Sequence, residues 1–94
     1  MRFSEDGICE LSSITSVDEC EAYKAFLRVE MARHLTEYSA AVAYAVRLRE
    51  VDTLYTHAAA DFYDSAATRH SQDADAIPKR IAQIEAHRAT LEGK

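Results

Sequence analysis

Between Gly7 and Pro78 the chain contains no glycine and no proline. Glycine frees the backbone, and proline fixes φ and removes a hydrogen-bond donor, so these two residues are the strongest breaks a sequence offers. Seventy consecutive positions without either leave helix unopposed. The apolar spacing agrees: Tyr23, Leu27, Met31, Leu35, Tyr38, Val42 and Ala45 recur at steps of three and four. Leu48, Val51, Tyr55, Ala58, Phe62 and Ala66 continue the pattern. Such spacing predicts one amphipathic helical face.

The start of the helix is marked chemically. Ser16 followed by Glu19 reads as a capping box, in which each side chain satisfies a backbone donor of the other residue. Ile14 stands near the position of a hydrophobic staple, and Asp18, Glu19 and Glu21 crowd the first turn, where the helix dipole favours negative charge. The polar cluster Ser71, Asp73 and Asp75 before Pro78 predicts an end to the long segment near residue 70. A last helix is then expected over residues 79–92, with Ile81, Ile84 and Leu91 inward and Gly93 as its stop. Residues 1–15 are a different kind of sequence. Asp6-Gly7 is a turn signal between Phe3 and the group Ile8, Cys9 and Leu11, so a β-hairpin or an irregular arm is expected there.

A single helix over residues 17–70 would be about 80 Å long, whereas a compact chain of this size has a radius of gyration of about 12–13 Å. The segment must therefore fold back or be covered by a second chain. Folding about residues 51–52 sets Leu48 near Tyr55, Ala45 near Ala58, Ala41 near Phe62 and Tyr38 near Ala66. Large side chains then face small ones, as close antiparallel packing requires. Asp52 and Thr53 are the turn residues available. The fold class expected is mainly α: a long antiparallel helical hairpin or helical bundle with a short N-terminal arm, in one domain of 94 residues.

Composition narrows the function classes. The net charge of -5 argues against general nucleic-acid binding, and charges interrupt every apolar run before it reaches membrane-spanning length. Two cysteines, Cys9 and Cys20, do not make a disulfide framework. A cytoplasmic protein with reduced thiols is expected. Charge alternates along the chain: 1–23 and 51–75 are acidic, whereas 24–50 are rich in Lys and Arg. This suits segments that pack on one another or on a second copy.

Chemistry is sparse. There is no glycine-rich phosphate loop, G-x-S-x-G, H-E-x-x-H or CxxC. Glu30, His34 and Glu37 share a helical face at a spacing that could hold iron or manganese in a bundle, but the Glu-x-x-His motif of di-metal bundles is missing. The plainer expectation is a half-buried His34 bonded to a carboxylate or to Tyr38. His57, Asp61 and Asp64 repeat the spacing on what should be a solvated face, and His70 and His87 read as isolated and exposed. The expectation is thus a non-enzymatic, cofactor-free helical protein that binds another protein, as a regulator, adaptor or inhibitor, and self-associates. Its contact residues would be Arg28, Arg33, Tyr38, Tyr44, Arg47 and Arg49, since Tyr and Arg are enriched at interfaces. The alternatives are a metal-binding bundle using Glu30, His34 and Glu37, or an oligomer whose arginines grip an anionic small molecule.

Overall fold

Helix α1 covers Val17–Val51 and helix α2 covers Leu54–Glu92, so two residues, Asp52 and Thr53, connect them. The computed structural model describes residues 1–5 and 8–93. In it the two helices pack as a helical hairpin closed within one chain. Asp52 has a φ of 57°, the left-handed conformation that stops a helix and that Asp tolerates better than most residues. Thr53 then caps the start of α2. The Thr56 N–H donates to Thr53 Oγ1 at 3.1 Å, and the Thr53 N–H donates back to Thr56 Oγ1 at 2.9 Å. This is the reciprocal geometry of a capping box, with threonine where Glu or Gln usually stands.

The cap of α1 has a different return arm from the one expected. The Glu19 N–H donates to Ser16 Oγ at 3.1 Å, as a capping box requires. The Glu19 carboxylate, however, accepts from the Thr15 hydroxyl at 2.9 Å and from the Met1 ammonium at 2.8 Å. It therefore ties the start of the helix to the arm.

Burial along α1 alternates in steps of four and three through Cys20, Lys24, Leu27, Met31, His34, Tyr38, Ala41, Ala45 and Leu48, with Tyr38 the most exposed of them. Along α2 the same steps run through Thr56, Ala60, Tyr63, Ala67, His70, Ala74, Ile77, Ile81, Ile84, Arg88 and Leu91. A seven-residue repeat on both helices is the pattern of a two-helix seam. The stripe expected from sequence through Tyr55, Ala58, Phe62 and Ala66 lies off this seam, and Tyr55, Ala58 and Phe62 are exposed. The reason is the connection: counting straight from α1 carries its phase across Asp52 and Thr53, where the helix stops and restarts. One residue of offset rotates a helical face by about 100°.

The helix break expected over residues 71–78 does not occur, and no separate helix begins at residue 79. Pro78 lies inside α2, where it removes one backbone hydrogen bond and crowds the carbonyl four residues earlier. Ala74, Ile77 and Ile84 are buried on either side of it, with Ile81 half-buried between them. Breaking the helix at Pro78 would interrupt this apolar stripe.

The chain divides into two units, Met1–Val29 with Ile77–Lys94, and Glu30–Ala76. In the first, the arm contributes Cys9 and Ile14 to a core with Cys20, Tyr23, Leu27, Ile77 and Ile84. One antiparallel bridge joins Phe3 to Cys9, flanked by Ser4 N–H donating to Ile8 O at 2.8 Å and Glu10 N–H donating to Arg2 O at 3.0 Å. There is no strand among the described residues. The Asp6-Gly7 turn expected between these partners lies outside them. Two side chains of α2, seven residues apart, hold arm carbonyls: Arg80 donates to Cys9 O, and His87 Nε2 donates to Ile14 O at 2.7 Å. His87 is half-buried by this contact rather than isolated and exposed. Arg88 pairs with Glu21, and the buried Lys24 lies 3.0 Å from Glu21 and 3.8 Å from Glu85.

In the second unit the seam is built from small side chains. Ala41, Ala45, Ala60, Ala67 and Ala74 are its buried apolar residues, with Thr56 beside them. The four largest fully buried side chains, Ile14, Ile84, Cys9 and Cys20, all belong to the first unit.

Replacing Pro78 with Ala restores the missing donor and is expected to raise stability, by up to about 3 kcal/mol, read as a higher melting temperature with unchanged helicity. A pH dependence follows from the α1 cap. The Met1 ammonium, and next to it the Thr15 hydroxyl, lower the Glu19 carboxyl from 4.5 to about 2. A depressed carboxyl stabilises the fold fully above its unfolded value, and this contribution is lost as pH falls through its folded value. Melting curves of wild type and Glu19→Gln should therefore differ most above pH 4.5 and converge as pH approaches about 2.

Candidate functional site

Two histidines meet across the seam of the second unit. His34 on α1 and His70 on α2 both occupy inward positions of the seven-residue repeat, and both are half-buried. Their Nδ1 atoms are 3.1 Å apart, and their ring centroids are 5.3 Å apart with a 40° tilt. Two N–H groups cannot point at each other at that distance, so one proton is shared between the two nitrogens. The other nitrogen of His70, Nε2, lies 3.0 Å from the Glu37 carboxylate. Glu37 is held in turn by Arg33 Nη1 at 3.0 Å. Asp73 completes the group: His34, His70 and Asp73 each offer a ligand atom, all within 4.8 Å of one another.

The two helices supply this cluster in matching fashion. His34 and Glu37 stand three apart on α1, and His70 and Asp73 stand three apart on α2. Residues three apart lie on one helical face, so each helix presents an imidazole and a carboxylate side by side. Neither pair matches Glu-x-x-His because the order here is reversed. The repeated His-x-x-acid, placed at nearly equal distances from the Asp52–Thr53 connection, was the signal available in the sequence. Glu30, expected beside His34 and Glu37, is engaged by Arg33 at 2.7 Å, a hydrogen bond that holds its carboxyl below the ordinary range. His70, expected to be isolated, is the central member.

The second expected set does not gather. His57 Nε2 bonds Asp52 Oδ1 at 2.7 Å, while Asp61 and Asp64 both bind Arg49, at 2.8 and 2.6 Å. Of the expected contact arginines, Arg33 and Arg49 are thus engaged by carboxylates of their own chain. Arg28 and Arg47 are exposed and form no ion pair among the described residues. Cys9 and Cys20 are free thiols with no exposed surface, and burial pushes the Cys20 thiol above its ordinary value. A buried, protonated thiol is a poor nucleophile.

The outer face near the connection is aromatic. Tyr44 stacks on Tyr63 at 5.4 Å, and Phe62 meets Tyr63 edge-on at 5.6 Å. Val51 lies seven residues beyond Tyr44 on the same edge of α1, and Tyr55 lies seven before Phe62 on α2. Tyr55 is 80% exposed, Phe62 70%, Val51 63% and Tyr44 54%. Tyr38 is exposed too, at the margin of the seam.

No family model, curated protein or solved structure matches the chain.

Polar seam positions can be weighed by substitution. His70→Leu alone strips His34 of its partner and should cost about 1 kcal/mol or more, whereas removing both polar partners can be nearly neutral. The double variant His34→Leu/His70→Leu is expected to melt at or above the wild-type temperature in denaturation experiments. Such a result would mean that the histidines are not what holds the hairpin together.

Proposed function

We propose that this protein is a non-enzymatic helical interaction module that works through the aromatic face beside the Asp52–Thr53 connection, with a second copy of the chain as its first partner. The reading rests on one observation. The second unit keeps alanines in its seam and carries Tyr44, Val51, Tyr55 and Phe62 outside. Exposed aromatic and apolar side chains that share one surface mark contact sites, and aromatic residues dominate the energetics of such contacts because each buries about 150–250 Å².

Three features favour a second copy. The patch draws on both helices, so a two-fold arrangement can place it against itself. Small residues, Ala40, Ala59 and Ala66, lie among the large ones and allow close approach. The second unit also carries opposite surface charges: α1 holds the exposed Arg47, and α2 holds the exposed Asp75. α1 of one copy laid against α2 of another brings opposite charges together, which sets orientation more than affinity.

Light scattering coupled to gel filtration provides the test. The wild-type protein should run at twice its 10.5 kDa chain mass. Phe62→Glu should run as a monomer with unchanged circular dichroism, because Phe62 is exposed in the single chain and its replacement leaves the seam intact. A wild-type protein that stays monomeric at high concentration would remove the second copy from this reading.

A further inference from the structure

We propose that His34, His70 and Asp73 form a binding site for a divalent transition-metal ion of zinc type, oriented by Glu37. The chemical class follows from the donors. Two imidazoles and one carboxylate suit zinc and its neighbours in the transition series, whereas magnesium and calcium call for oxygen ligands. Three protein ligands leave a fourth position for water, the arrangement of open zinc sites.

The geometry carries the assignment. Two nitrogens bound to one zinc at about 2.0–2.1 Å, with an angle between octahedral and tetrahedral, stand about 2.8–3.4 Å apart. The Nδ1 atoms of His34 and His70 are 3.1 Å apart. The ion takes the place of the shared proton: with His70 Nε2–H facing Glu37, that proton belongs to His34 Nδ1 and passes to His34 Nε2, so both rings stay neutral and both Nδ1 lone pairs turn to the metal. Asp73 is exposed and forms no ion pair among the described residues. Its ligand atom lies within 4.8 Å of the others, so an inward swing of about an ångström brings it to the third corner.

The surroundings add an independent feature. Histidines that bind metals almost always donate their second ring N–H to a carboxylate or carbonyl, which fixes the ring and the tautomer. His70 Nε2 has that partner in Glu37 at 3.0 Å, and Glu37 is itself fixed by Arg33. A hydrogen bond between two histidines needs neither this outer carboxylate nor Asp73. Both rings also come from regular helix rather than loops, so the ligand positions are set before any ion binds.

The test is titration of the chelator-stripped full chain with zinc chloride, followed by calorimetry and by metal analysis after dialysis. One zinc per chain is expected, with a rise in melting temperature. The double variant His34→Leu/His70→Leu should lose stoichiometric binding while remaining helical, and Asp73→Asn should bind about tenfold more weakly or worse. Glu37→Gln, which leaves every ligand in place, should weaken binding about 10- to 100-fold. His57→Ala should bind like wild type. Cobalt chloride in parallel reports the geometry, since a four-coordinate site gives intense visible absorption. No stoichiometric zinc or cobalt in the wild type, or zinc retained in the double variant, would overturn the proposal and leave the histidines as a hydrogen-bonded pair.

Discussion

The seam of the second unit depends on how α1 stops and α2 restarts. A helix that loses its phase over two residues presents a new set of side chains to its partner, and Asp52 and Thr53 make that change. Asp52 supplies the left-handed conformation, at some cost because it is not glycine, and His57 bonds its carboxylate. Thr53 and Thr56 satisfy each other's backbone donors. The result places Thr56, Ala60, Ala67 and Ala74 inward and turns Tyr55 and Phe62 outward. It also brings His70, not one of its neighbours, opposite His34.

The alanine seam has a consequence for energetics. Burying an alanine removes far less apolar surface from water than burying a leucine or phenylalanine, at about 25 cal/mol per Å². Close approach of the backbones recovers dispersion contacts, but the large apolar groups of this unit remain outside. A hairpin tip of this construction gains by covering its outer face. The histidine pair belongs to the same logic: imidazoles in the seam contribute less hydrophobic stabilisation than aliphatic side chains would, a cost for which the proposed metal site gives a reason.

The first unit is held differently. Its core contains the large buried side chains Ile14 and Ile84 and two inert thiols, and its arm is fastened by side-chain hydrogen bonds and one ion pair. Arg80 and His87 grip arm carbonyls, and Glu19 receives the Met1 ammonium. An arm with a single antiparallel bridge cannot satisfy its own backbone, and a buried carbonyl without a partner is costly. The long side chains of α2 supply the missing donors.

The sequence by itself determined that the chain is helical, where α1 begins, and that Asp52 and Thr53 are the residues at which the long segment can fold back; that it does so within one chain came from the structure. The first three follow from local chemistry: the absence of glycine and proline, the Ser16 and Glu19 cap, and the spacing of apolar residues. Only the tertiary structure decided three further matters. It carried α2 through Pro78, because burial of Ala74, Ile77 and Ile84 outweighs one lost backbone bond. It chose which face of α2 is inward, because helical phase is reset by two residues whose conformation no periodicity encodes. It also joined His34 to His70, a contact across 36 residues, because a motif search along one helix sees neighbours three or four apart and cannot see the ligand that a second helix brings to the same point.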